Sequence, residues 1–144
     1  MLARRAHTRR ELQQKLRKKG FEADEIGCVL DGLAERGLVD DRKTASSIVR
    51  TQSARGRGRG RLASELSAKG VSREDAAAAM EELDPADEAA NLQRLLARRD
   101  RSLSASLTPQ ARSKKLFDHL VRRGYSPGAV IEALRKKGEP ADDD

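Results

Sequence analysis

Two leucines four residues apart, a glycine four further on, and an apolar residue directly after it recur three times along the chain. The copies are Leu12–Leu16–Gly20–Phe21, Leu62–Leu66–Gly70–Val71 and Leu116–Leu120–Gly124–Tyr125. Six and ten residues past each glycine come Ile26 and Leu30, Ala76 and Met80, Val130 and Leu134. Leucines at i and i+4 stack on one helix face. The glycine supplies the positive φ that closes a helix without steric cost, and the apolar residue after it packs back on the last turn. Each copy therefore predicts two helices joined by a tight glycine turn. The glycines lie 50 and then 54 residues apart, so the chain reads as a three-fold helical repeat.

Eight helices and no strand are expected. Thr8 and Glu11 have capping-box spacing and start the first, over residues 8–19. The second runs from about Ala23 to Arg36, with Ile26, Val29, Leu30 and Leu33 on one face and Gly37 closing it. Either Asp40 or Asp41 can cap the third, which ends near Ser53. Arg55 to Arg61 breaks the periodicity and predicts a loop. Helices follow over 62–69, over 72–83, and from Asp84-Pro85 with Ala89, Leu92, Leu95 and Leu96 on one side. Thr108-Pro109 and Ser126-Pro127 start the last two, and the final one ends near Lys137. The fold class is all-α: elongated tandem repeats of three-helix, helix-turn-helix-like units with a truncated third repeat. The expected divisions are 1–54, a connecting loop 55–61, 62–100, a linker 101–108, 109–138, and an acidic disordered tail 139–144.

Composition narrows this picture. Charged and apolar residues each make up 37% of the 144, and the aromatics are Phe21, Phe117 and Tyr125 alone, so Leu and Ala must fill a thin core. The net charge of +7 is concentrated at the ends: residues 1–60 carry nearly twice as many Lys and Arg as Asp and Glu, whereas 61–108 are slightly acidic. That distribution suits a polyanionic or charge-patterned partner. Cys28 stands alone, which favours a reducing compartment; no run approaches a membrane span and no signal-peptide pattern opens the chain. A cytoplasmic, monomeric protein is expected.

Catalytic chemistry finds no support. His7 and His119 are the only histidines, and neither has a partner at metal-ligand spacing. Cys28, next to Val29, reads as a small core residue, and His119 as structural or solvent-facing. Gly56, Gly58 and Gly60 follow no strand and lack the Gly-Lys-Ser/Thr ending of a phosphate loop. No enzyme, cofactor or metal site is expected.

Basic residues are the remaining functional candidates. Arg17, Lys18, Lys19, Arg122, Arg123, Arg135, Lys136 and Lys137 sit at helix C-termini, where the helix dipole alone favours cations. No helix end explains Arg55, Arg57, Arg59 and Arg61 among three glycines. A mobile arginine loop there would reach phosphates or acidic side chains; a plain linker is the other reading. The absence of nearby aromatics argues against base stacking.

Thr8 to Gly20, Gly37-Leu38-Val39-Asp40-Asp41 with Ala45, the glycine-rich loop leading into Leu62-Ala63-Ser64-Glu65-Leu66, and Lys69-Gly70-Val71 together resemble the RecX family of recombinase regulators. Arg122-Arg123-Gly124-Tyr125-Ser126 is similar to that family's third-repeat motif. The resemblance covers nearly the whole chain. It implies tandem three-helix repeats, binding to the RecA–DNA nucleoprotein filament, and down-regulation of strand exchange, ATP hydrolysis and coprotease activity within DNA repair and the SOS response. Thr44 departs from the pattern, standing where the family places a large aromatic, and should thin the first unit's core. A stand-alone helix-turn-helix DNA-binding or nucleoid-associated protein is the alternative.

Overall fold

The computed structural model describes residues 6–138; residues 1–5 and the acidic segment 139–144 lie outside the described residues. Eight α-helices and no strand occur among the described residues: α1 Arg9–Lys18, α2 Ala23–Glu35, α3 Asp41–Ala54, α4 Arg59–Ala68, α5 Arg73–Glu81, α6 Pro85–Ser102, α7 Pro109–Arg122 and α8 Pro127–Lys137. The one displaced start is that of α4. It begins at Arg59, inside the stretch that broken periodicity assigns to a loop, so the true connection is Arg55 to Gly58.

Local chemistry sets the ends. The leucine four residues before each repeated glycine accepts from the residue just after it: Phe21 N–H to Leu16 O at 3.2 Å, Val71 N–H to Leu66 O at 3.0 Å, and Tyr125 N–H to Leu120 O at 3.3 Å. This is the Schellman closure, and it explains why the leucine, glycine and apolar residue keep their spacing. Ser72, Thr108 and Ser126 cap α5, α7 and α8 through their hydroxyls, and Asp84 caps α6 ahead of Pro85.

The helices form two compact units, residues 1–50 with 63–82 and residues 51–62 with 83–144. In the first, α1 packs on α2, and Ile26, Leu30, Val39, Ala45, Val49, Leu66 and Ala79 are buried. Thr8 is fully buried. Its hydroxyl accepts from Glu11 N–H and donates to Lys69 O at 2.6 Å, while Glu11 returns the capping bond. The two aspartates after Val39 divide their roles. Asp40 accepts from Arg42 and Lys43 N–H at the start of α3, whereas Asp41 accepts from Arg9 N–H at 2.8 Å and so caps α1.

Several side chains depart from the periodic reading. Thr44 is buried beside Ala45, placing a small side chain at that core position. Val29 is 51% exposed, because the buried stripe of α2 follows Ile26 and Leu30 and leaves Val29 at its edge. Cys28 is exposed rather than a core residue: two positions from Ile26, it points away from that stripe. Phe21 is half exposed, unlike its counterparts Val71 and Tyr125.

In the second unit α6, α7 and α8 each pack against the other two. Leu92, Leu96, Leu120, Tyr125, Val130 and Ala133 form the core, flanked by Leu95, Phe117, Val121 and Leu134.

Candidate functional site

The arginine–glycine segment is anchored within the second unit. Gly58 N–H donates to Arg123 O at 2.9 Å and Gly60 N–H to Gly124 O at 3.0 Å. In return the Arg123 guanidinium donates through Nε to Gly56 O and through Nη2 to Arg55 O, both at 2.9 Å. Small residues are required for this approach. A Cβ on Gly58 would lie 2.6 Å from Gly124 O and nearer still to Gly124 C and Tyr125 N. The segment is thus pinned against the third glycine turn by hydrogen bonds in both directions.

Its four arginines have different occupations. Arg59 is bidentate to Glu88, with Nε at 2.9 and 3.0 Å from the two carboxylate oxygens, and that bond holds the guanidinium more firmly charged. Arg57 donates to Gln52 Oε1 at 2.7 Å. Arg61 reaches Arg122 O at 3.4 Å and is otherwise exposed, as is the Arg55 side chain. Of the helix-end cations, Arg17, Lys18 and Lys19 are exposed at the end of α1, in the first unit. Arg135 pairs with Glu132, Lys137 pairs with Asp100 at 3.2 Å, and Lys136 is exposed, acting on Glu132 through its charge with no close ion pair among the described residues.

A further cationic group was not evident from the chain. Arg99 on α6 is partly buried, and its Nε is inaccessible to solvent and unpaired. It acts on His119 of α7 together with Arg123 and Arg122. Burial is the main cause that holds the His119 pKa below the ordinary histidine value, and the three guanidiniums lower it further. Every charge that shifts His119 is therefore positive. By contrast Arg112, one helix turn into α7, is spent on Asp100 at 2.7 Å and on the carbonyls of Asp100 and Ser104; it holds the Asp100 carboxyl below the usual carboxylate range. His119 and Arg122 three apart on α7, with Arg123 at its C-cap four from His119, were the available signal. Arg99 comes from another helix, and only the α6–α7 packing brings it in.

The positive charge gathered there attracts anions: phosphate or carboxylate oxygens beside it would offset repulsion among like charges. Among the described residues no group of His, Cys, Asp and Glu could hold a metal ion. No described helix is long and apolar enough to cross a membrane.

Three family models match the chain: the first three-helix domain of RecX over residues 1–33, the second over 40–80 and the third over 86–134. These matches group α3 with α4 and α5, and α6 with α7 and α8. The chain is 36% identical over 140 residues to the regulatory protein RecX of Thermobifida fusca, covering 96% of this chain and 75% of that relative. It is 38% identical over 138 residues to that of Mycolicibacterium smegmatis, covering 93% and 73%. Two RecX crystal structures share the fold. One has a TM-score of 0.83 at 24% identity, covering 94% of this chain and 66% of that one. The other, from Lactobacillus salivarius, has a TM-score of 0.82 at 22% identity, covering 94% and 88%.

Proposed function

The chain belongs to the RecX family of regulatory proteins, and from that premise we propose that it is a non-enzymatic regulator that binds the RecA–DNA nucleoprotein filament and restrains its recombinase, ATPase and coprotease activities. The observation that carries the reading is the cationic group of Arg99, Arg122 and Arg123 gathered around His119 by the packing of α6 on α7. A filament offers a dense array of phosphates and acidic side chains to such donors. Repeated helical units suit a target that itself repeats. A regulator contacting neighbouring recombinase subunits would hold them in one state and slow the cycling that ATP turnover requires.

Lys136, Arg122 and the exposed Arg17, Lys18, Lys19 and Arg55 add further contacts on this reading. Arg57, Arg59, Arg123, Arg135 and Lys137 serve it more through the geometry they maintain, since each is already bonded.

The test is RecA's DNA-dependent ATPase measured with substoichiometric protein, alongside co-sedimentation with filaments. Slowed hydrolysis together with pelleting is expected. Unaltered hydrolysis at every ratio, with no pelleting, overturns the proposal. The same cluster also favours a second reading, a stand-alone duplex binder working by phosphate contacts. Equal affinity for bare DNA with and without RecA would select it.

A further inference from the structure

Within the second unit α6 and α8 leave an open cavity of about 420 Å³ between them. That lies in the range of roughly 300–1,000 Å³ typical of ligand-binding clefts. Ala89, Ala129 and Ala133 line its sides, Leu92 and Tyr125 contribute core surface, and Lys136 stands at it. Alanines on both helices, Ala89 and Ala90 on α6 and Ala129 and Ala133 on α8, leave the space open; longer side chains at those positions would fill it.

The polar groups at the cavity are unequal in availability. Both carboxylates are engaged, Glu88 by Arg59 and Glu132 by Arg135. Gln93 donates to Ala133 O. Two groups make no hydrogen bond or ion pair among the described residues: the Lys136 ammonium, whose charge also bears on Glu132, and the Tyr125 hydroxyl, on a residue only 7% exposed. Burial raises the pKa of that phenol, so it stays protonated. Both free groups are therefore hydrogen-bond donors, one charged, set beside apolar walls. The complementary occupant has an apolar body and an anionic or carbonyl acceptor. Nucleic acid fits poorly, because the walls are mostly apolar and Lys136 is the one cation at the cavity without an ion pair among the described residues, whereas a polyphosphate backbone needs a row of them.

We propose that this cavity is a docking site for a partner-protein segment in which an apolar side chain enters between α6 and α8 while a neighbouring carboxylate meets Lys136 and Tyr125. On the filament reading above, on which its biological role rests, the segment belongs to the recombinase. Surface arginines and lysines would then contact the polyanionic elements of the filament, and this cavity would supply the apolar anchor of the kind that dominates protein interfaces.

The proposal is tested on the intact chain by NMR titration with two short capped helical peptides. Each carries one leucine and, one turn further on, either glutamate or lysine; single-stranded DNA is the third probe. The glutamate peptide should shift the amides of Ala89, Ala129 and Ala133 and bind about tenfold more tightly than the lysine peptide, as one charge-assisted bond allows. Lys136→Glu should reverse that preference, Tyr125→Phe should weaken it, and Ala129→Trp, which plugs the cavity from an exposed position, should abolish binding with an unchanged melting temperature. Equal response to both peptides, no response to either, or shifts at these alanines from DNA alone overturns the proposal. Co-sedimentation separates the two readings. Peptide binding without filament pelleting rejects the filament and leaves the cavity supported, and pelleting undiminished in Ala129→Trp with no peptide response does the reverse.

Discussion

Gly58 and Gly124 meet backbone to backbone: Gly58 O lies 3.0 Å from where a Cβ on Gly124 would stand, and that Cβ would also crowd Arg61 at 2.5 Å. The three glycines of the repeat are thus unequal. Gly124 has φ +103° and is hemmed by main chain. A Cβ on Gly70 would meet the Arg10 side chain down to its Cβ, at 2.7 Å, while Gly20 faces open space. Urea denaturation should rank the alanine variants accordingly. Gly20→Ala is expected to cost about 1 kcal/mol from backbone strain alone, within the usual 1–3 kcal/mol for a non-glycine residue at positive φ. Gly124→Ala adds the clash and should exceed ~3 kcal/mol, as should Gly58→Ala, whose φ is unstrained but whose neighbours are backbone. Equal costs at Gly20 and Gly124 would disprove the close approach.

Thr8 does three things at once: it caps α1, completes a reciprocal box with Glu11, and donates to Lys69 O from a fully buried position. Thr8→Val keeps the volume and removes the hydroxyl. A lost cap costs about 1 kcal/mol, and a part-buried carbonyl left without its donor about 1–3 kcal/mol more. A drop of roughly 2–4 kcal/mol in unfolding free energy is expected. Ser126→Ala, whose hydroxyl caps α8 at an exposed site, should lose only the first of these.

That contrast marks how much could be read from the chain. The box at Thr8 and Glu11, the serine and threonine caps and the glycine closures are local, and they are set by residues within five positions of one another. Thr8 to Lys69, Asp41 to Arg9 and Arg59 to Glu88 join residues 61, 32 and 29 apart, and no periodicity encodes them. The segment from Arg55 to Arg61 looked unpatterned because its order comes from Arg123 and Gly124, far along the sequence. Exposed Cys28 and Val29 failed for another reason. They flank a genuine apolar stripe, and only the packing of α2 shows how narrow that stripe is.

His119 gives the second unit a pH response whose sign follows from its environment. Burial first, and then Arg99, Arg123 and Arg122, lower its pKa in the folded chain. The unfolded chain therefore takes up the proton first as pH falls. The contribution to stability is complete above the ordinary histidine pKa and is lost as pH drops through the lower folded value. Thermal melts should show this loss in the wild type, and His119→Gln should flatten it in that window. Saturation with a short oligonucleotide or with phosphate should raise the His119 pKa, followed through the imidazole NMR shifts, because bound anion offsets the surrounding charge.

Arg99 separates structural cations from binding ones. Its Nε has no partner to lose, so Arg99→Ala removes a buried, unsatisfied group and relieves repulsion on His119. Stability should hold or rise slightly. Arg123→Ala must behave oppositely, since it breaks the bonds to Gly56 O and Arg55 O; Arg123→Lys should not rescue it, for an ammonium lacks the planar fork that spans two carbonyls. If Arg99 meets a phosphate in the filament, its loss should weaken binding and lower the slope of log affinity against log salt by about one. A salt titration of filament binding reads both effects. An unchanged slope with undiminished affinity would show that Arg99 is buried for packing alone, and would take the α6–α7 cluster out of the interface.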